Sequence, residues 1–368
     1  MPPKLKRTKA KPAVSEREPT IDTLALAERL AGELSPLLVV RTLGFLARQH
    51  GVSMPAPFDA RYVPNFLTSC DRLSVECYAD IVSLRAGWGS KSADANTLAL
   101  VFVVTHVSYT YVERLFTAHR PALEAFDAAR LEALLREWYA STHTLTASHK
   151  RKRTKAPALF RSRFTNCKSI DAFCGLFHAF HGASLPQGGP RELHEWLSAN
   201  FKGVSEFTAT VLLRELVLYV DRLRAHEAVA LGGNQGSTKF LQARGVPPTA
   251  MEGVLDALRV HIFSMAPATL QGLSPRLRAA LAPLIDRLPS FCDIENFCCE
   301  GSKMRKMIQK TYKKKRIFRI DEHPAPRMDA VPLCGEGGVE LLDLRIGSEE
   351  AEEARRVMAR LLQARSAC

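Results

Sequence analysis

FKGVSEFTATVLLRELVLY, residues Phe201 to Tyr219, reads as the close of one helix, a glycine bend and the opening of a second helix. Upstream, Gly188 and Gly189 break the chain, Pro190 suits a first helical position, and Leu193, Trp196, Leu197 and Phe201 recur at helical spacing. Beyond Lys202-Gly203-Val204-Ser205, the residues Ala209, Leu212, Leu213, Leu216, Val220 and Leu223 fall on one side of the second helix. Such a hairpin presents the backbone N–H groups of Gly203, Val204 and Ser205 at a positive helix N-terminus, where a phosphate oxygen is a natural partner. Glycine permits close approach there, and Lys202 adds a full charge. An ordinary helical corner with a glycine cap has the same local pattern, so the rest of the chain has to discriminate.

Composition supplies the first discriminator. The 51 Lys and Arg against 38 Asp and Glu leave a formal charge of +13 on a chain of 368 residues that is 46% hydrophobic. That describes a folded basic protein with room for a large core in one or two domains. Excess positive charge favours a polyanion, with DNA the expected partner. The most apolar run, Leu98 to Val104, falls far short of the roughly 20 residues of a membrane span, and Met1 to Pro19 lacks a signal-peptide core. No membrane is expected as a partner, and the setting is expected to be intracellular. Nine cysteines fit that setting as reduced thiols. Cys292, Cys298 and Cys299 stand without a fourth cysteine nearby, so no metal site is expected. Nor does the sequence call for a cofactor.

Met1 to Thr20 carries KLKRTKAK without hydrophobic periodicity, which reads as a disordered basic arm and a nuclear address. From Ile21 the pattern is helical: LALAERLAGEL forms one helix, and Ser35-Pro36 starts another over PLLVVRTLGFLARQH. Helices continue over Tyr62 to Leu84, Asp94 to His119 and Pro121 to Thr142. HKRKRTK, His149 to Lys155, reads as a solvated linker between two lobes of a helical domain over residues 21–320. The glycine-rich ALGGNQGSTKFLQARG forms a loop leading into a helix. Residues 321–368, with VELLDLRIG and an amphipathic helix from Ser348 to Arg365, read as an appendage whose helix offers a face to a protein partner. No strand ladder is evident, so the fold class is all-α.

A second informative segment is CDIENFCCEGSKMRKMIQKTYKKKR, Cys292 to Arg316. At about 100° per residue, Asp293, Asn296, Glu300 and Lys303 share a sector of roughly 80°. Phe297, Gly301, Met304 and Ile308 form the apolar stripe beside it. The polar groups then lie at the rim of the buried face, where they either line a pocket or form a salt-bridged helix edge. Glu295 projects away from that stripe. Lys303, Arg305, Lys306, Lys310, Lys313, Lys314, Lys315 and Arg316 supply enough charge to follow a phosphate backbone.

DIENFCCEGSKMRK resembles the D-I-E-x-x-L-C-E-x-x-K signature of the 5-hydroxymethyl-deoxyuridine DNA kinase helical domain family, also called the alpha-glutamyl/putrescinyl thymine pyrophosphorylase family. MPAPFDARYVPNFLTSCDRLSVE is similar to that family's N-x-x-R-x-x-D-R segment, with Asn65, Asp71 and Arg72 at the matching places. KGVSEFTATVLLREL takes the place of its glycine hairpin, and the Gly232 to Ser237 loop that of its G-P-G-A loop. Leu67 or Thr68 stands where the motif has arginine, and the loop has no proline.

The resemblance implies a helix-hairpin-helix fold of the DNA glycosylase kind, associated with hypermodified thymine in DNA. It implies Glu295, Glu300 and Asp71 as catalytic candidates, and Asn65, Arg72 and Lys303 beside them as the lining of a pocket for an extruded base, to which the polar stripe adds Asn296. Backbone contact falls to Lys202, Gly203, Val204, Ser205 and the Lys303 to Arg316 run. Related glycosylases place an aspartate after the hairpin helix, where Asp221 sits a turn early as a candidate base or a solvent-facing charge. The lysine of bifunctional members is replaced by Phe207. There is no G-x-x-x-x-G-K-[ST] loop, so the chain is not expected to be a kinase by itself. The enzyme alternative is a glycosylase or base-modifying transferase; the other is a non-catalytic DNA-reading module.

Overall fold

In a computed structural model, residues 22–56, 58, 77–107, 109–143, 169–224, 235–264, 270, 272–285, 290–309, 328–335 and 338–366 are described. Among them are fourteen α-helices and a single two-stranded sheet, so the protein is mostly helical. The first helix, α1 (Thr23–Ala47), is capped by Asp22, whose carboxylate accepts the N–H groups of Leu24 and Ala25.

Helix α1 departs from the expected break at Ser35-Pro36 and runs through Pro36 without interruption. An interior proline costs roughly 3 kcal/mol in a helix, and burial on both sides of Pro36 offsets it. Ala27, Leu30, Ala31 and Leu34 enter one apolar cluster, while Leu37, Val40, Leu43 and Leu46 enter a second. By length and composition α1 could also cross a bilayer, but 78% of its most apolar window is buried within the protein.

The middle of the chain builds a core of its own. Helices α2 (Tyr78–Gly87), α3 (Ser90–His106), α4 (Tyr109–Ala118), α5 (Arg120–Glu124) and α6 (Ala128–His143) lead into α7 (Ile170–His181), α8 (Pro190–Asn200) and α9 (Glu206–Leu216). Phe102, Phe173, Phe177 and Phe180 are almost fully buried at its centre. The two long helices expected over Asp94–His119 and Pro121–Thr142 are each interrupted. Val107 turns extended after α3, and Phe126 adopts the left-handed region at φ +42° before α6. That conformation costs a non-glycine residue on the order of 1 kcal/mol. Burial of the Phe126 ring against Trp88, Phe177 and His181 offsets it.

The remaining helices return to α1. Of the helices α10 (Gln235–Gln242), α11 (Met251–Ser264), α12 (Pro275–Ile285) and α13 (Phe291–Ile308), α11 and α13 pack against it, α10 packs on α13, and α12 adds Leu277 and Leu281 to the second α1 cluster. Strands β1 (Val331–Gly335) and β2 (Gly338–Leu342) pair antiparallel, Val331 opposite Leu342, a ladder the sequence reading did not anticipate. The last helix, α14 (Ser348–Ser366), is docked on α1 rather than free. Ala351, Ala354, Val357, Met358 and Leu362 bury its apolar face in the second α1 cluster, so that face is not open to a partner. Polar ties hold it as well: the Glu353 carboxylate accepts the Ser274 N–H at 2.6 Å.

Candidate nucleic-acid interface and the charge network behind it

Helices α8 and α9 form the expected hairpin. Pro190 occupies the first turn of α8, the backbone turns extended at Phe201, and Gly203 takes φ +101°, which a side chain would strain. Ser205 caps α9, its Oγ accepting the Thr208 N–H at 3.2 Å. Lys202 and Ser205 are exposed. Val204 differs from its expected role. Its side chain is buried and its N–H donates to the Phe201 carbonyl at 3.0 Å, so that amide closes the turn and is not available to a phosphate. Beneath the bend, Phe201 packs on Phe180 at 4.7 Å between ring centroids and meets Trp196 edge-on at 4.9 Å.

Helix α9 carries the hairpin to α13. Arg214 pairs with Glu295, which also accepts the Ser237 Oγ–H from α10 at 2.5 Å. On another side of α13, Arg41 Nη1 of α1 donates to Glu300 Oε2 at 3.0 Å, and Lys303 binds the other oxygen. Both carboxylates are buried, as are both arginines. Burial alone would raise the Glu300 carboxyl, but Lys303, Arg41 and Arg214 together hold it below its ordinary value. Burial likewise pulls the Lys303 ammonium down, and Glu300 more than reverses this, so Lys303 stays charged. An amine locked in that state is not a nucleophile at neutral pH.

The amphipathic stripe expected on α13 is therefore replaced by burial on several sides. Asp293 is the N3 partner of a capping box with Ser290 rather than a pocket group. Asn296 is buried beside Glu295 in sequence, and Glu295 itself, projected away from the stripe, is among the least exposed acids. Gly301 lets α1 approach so closely that an added Cβ would collide with Leu34 Cδ2. At the far end, Arg305 pairs with Glu33 at 2.7 Å, as does Arg244, and Lys306 is exposed.

Asp221 lies on the surface, 89% exposed and paired with Arg224 at 2.6 Å. His178 pairs with Glu132, and His181 Nδ1 lies 2.9 Å from Asn96 Oδ1. Asn65, Asp71, Arg72, Lys310, Lys313, Lys314, Lys315 and Arg316 fall outside the described residues. Sequence reading missed Arg41, Arg214 and Ser237 as the partners of the α13 carboxylates. A lone arginine inside an apolar run, as in LLVVRTLGF and VLLRELVL, is the signal that points to a buried ion pair. The chain matches no family model, no curated protein and no solved structure.

Proposed function

We propose that the protein is a DNA-binding helical protein of the helix-hairpin-helix, glycosylase-like kind, acting in the nucleus on DNA that carries hypermodified, 5-hydroxymethyluracil-type thymine. The bend at Gly203, with Lys202 and Ser205 exposed on either side of it, carries this reading. It places a cation and a left-handed glycine at the start of a capped helix, which is how a protein holds a phosphate oxygen. The chain's net charge of +13 agrees in sign. Between catalysis and recognition, the ion pairs favour recognition. Glu295 is held by Arg214 and Ser237, and Glu300 by Arg41 and Lys303, so both acids are engaged by partners within the protein.

The test is duplex binding by fluorescence anisotropy at several salt concentrations. Lys202→Glu is expected to weaken binding for every sequence and to reduce the salt slope by about 0.9 for the lost phosphate contact. Gly203→Val is expected to do the same through the bend. Equal affinity in wild type and both variants removes the hairpin from the interface. Incubation with duplexes containing thymine or 5-hydroxymethyluracil, followed by mass spectrometry of bases and nucleosides, separates the activities. Bound but unchanged DNA is expected, and a released or altered base returns the protein to the enzymes.

A further inference from the structure

Trp196 is the one tryptophan of three that is not buried, since Trp88 and Trp138 both lie in the core. It sits on α8 one turn before the bend. Its contact with Phe201 is edge-to-face, with an interplanar angle of 77°. Both rings are also packed in part against the core, and the remainder of the half-buried Trp196 ring lies at the surface. Phe201 is itself wedged on Phe180, so the platform is rigid. Lys202 follows at once, exposed, and Asn200 is fixed by its amide donating to the Trp196 carbonyl at 2.9 Å. The exposed carboxylates Glu192 and Glu195 precede Trp196 on α8 and the exposed Glu206 follows the bend, so Lys202 is the cation that lies between the ring and α9. An aromatic surface beside a cation is the combination that holds unstacked nucleotides.

Resting on the DNA-binding reading above, we propose that this end of the hairpin receives an unpaired nucleotide, its base stacked on Trp196 and its phosphate at Lys202. DNA with an unpaired base is then preferred to an intact duplex. The experiment compares the full chain on an intact duplex and on the same duplex with a one-nucleotide gap, by anisotropy with labelled DNA and by tryptophan fluorescence with unlabelled DNA. The gapped DNA is expected to bind roughly tenfold more tightly, the lower part of the range for one stacked base, and to quench the emission. Trp196→Leu is expected to lose the preference while keeping duplex affinity, and Trp196→Phe to keep most of it. Unaltered melting midpoints verify that both variants are folded. Equal affinity for the two DNAs in the wild type, or a preference that survives Trp196→Leu, overturns the stacking proposal and leaves duplex binding in place. Failure of every DNA to bind overturns the underlying reading as well.

Discussion

Replacing Glu300 by Gln removes the anion shared by Arg41 and Lys303 while almost preserving shape. The Arg41 side chain is 3% exposed and that of Lys303 is 41% exposed. Removing one partner of a buried pair costs about 3–5 kcal/mol, because the other charge is left in the interior. Lys303 can turn to water, so its share is small and Arg41 carries most of the penalty. A loss of about 3–4 kcal/mol at about 2 °C per kcal/mol, the lower bound for a large domain, lowers the melting midpoint by about 6–8 °C. Circular dichroism during thermal and urea unfolding measures it.

The double variant Arg41→Met with Glu300→Leu removes both members and fills their space, so it is expected to recover most of the loss. The acid limb gives an independent reading. Burial opposes ionisation of Glu300, but its cations hold the folded carboxyl below its ordinary 4.5. A depressed carboxyl contributes its stability above the unfolded value and loses it as pH falls through the folded one. Wild-type stability is therefore expected to fall below pH 4.5 toward that of Glu300→Gln, with the two curves converging in acid. A loss under about 1 kcal/mol in Glu300→Gln, or costs that simply add in the double variant, refutes the description of these groups as a coupled buried unit.

Gly301→Ala adds a methyl group against Leu34, which is fully buried, so a net loss of about 1–3 kcal/mol in urea unfolding is expected even though alanine is the better helix former. Leu34→Ala in the same chain makes room, and the two losses are expected to be less than additive. Asp221→Asn should change stability by less than about 0.5 kcal/mol, as for other surface sites, because Arg224 stays anchored on the Val217 and Leu218 carbonyls. Base release or nucleoside conversion that disappears in Asp221→Asn makes that carboxylate catalytic after all.

What the sequence determined by itself was local. The α8–bend–α9 hairpin follows from Pro190, a glycine suited to positive φ, a serine cap and apolar residues at helical spacing, all acting within a few residues of one another. The mostly helical class follows from the same periodicity. Tertiary structure decided whatever depends on partners far along the chain. Pro36 reads as a helix start, yet α1 continues because two separate clusters bury its halves. Residues 321–368 read as an appendage, yet the described part of them contributes a hairpin and a helix to the α1 core. Arg41 meets Glu300 across 259 residues and Arg214 meets Glu295 across 81, so no pattern within α13 distinguishes a pocket acid from one neutralised in the interior. Periodicity registers that a face is buried; which charge waits on the other side is set only when distant helices pack, because a buried ion is tolerated only where its counterion arrives with it.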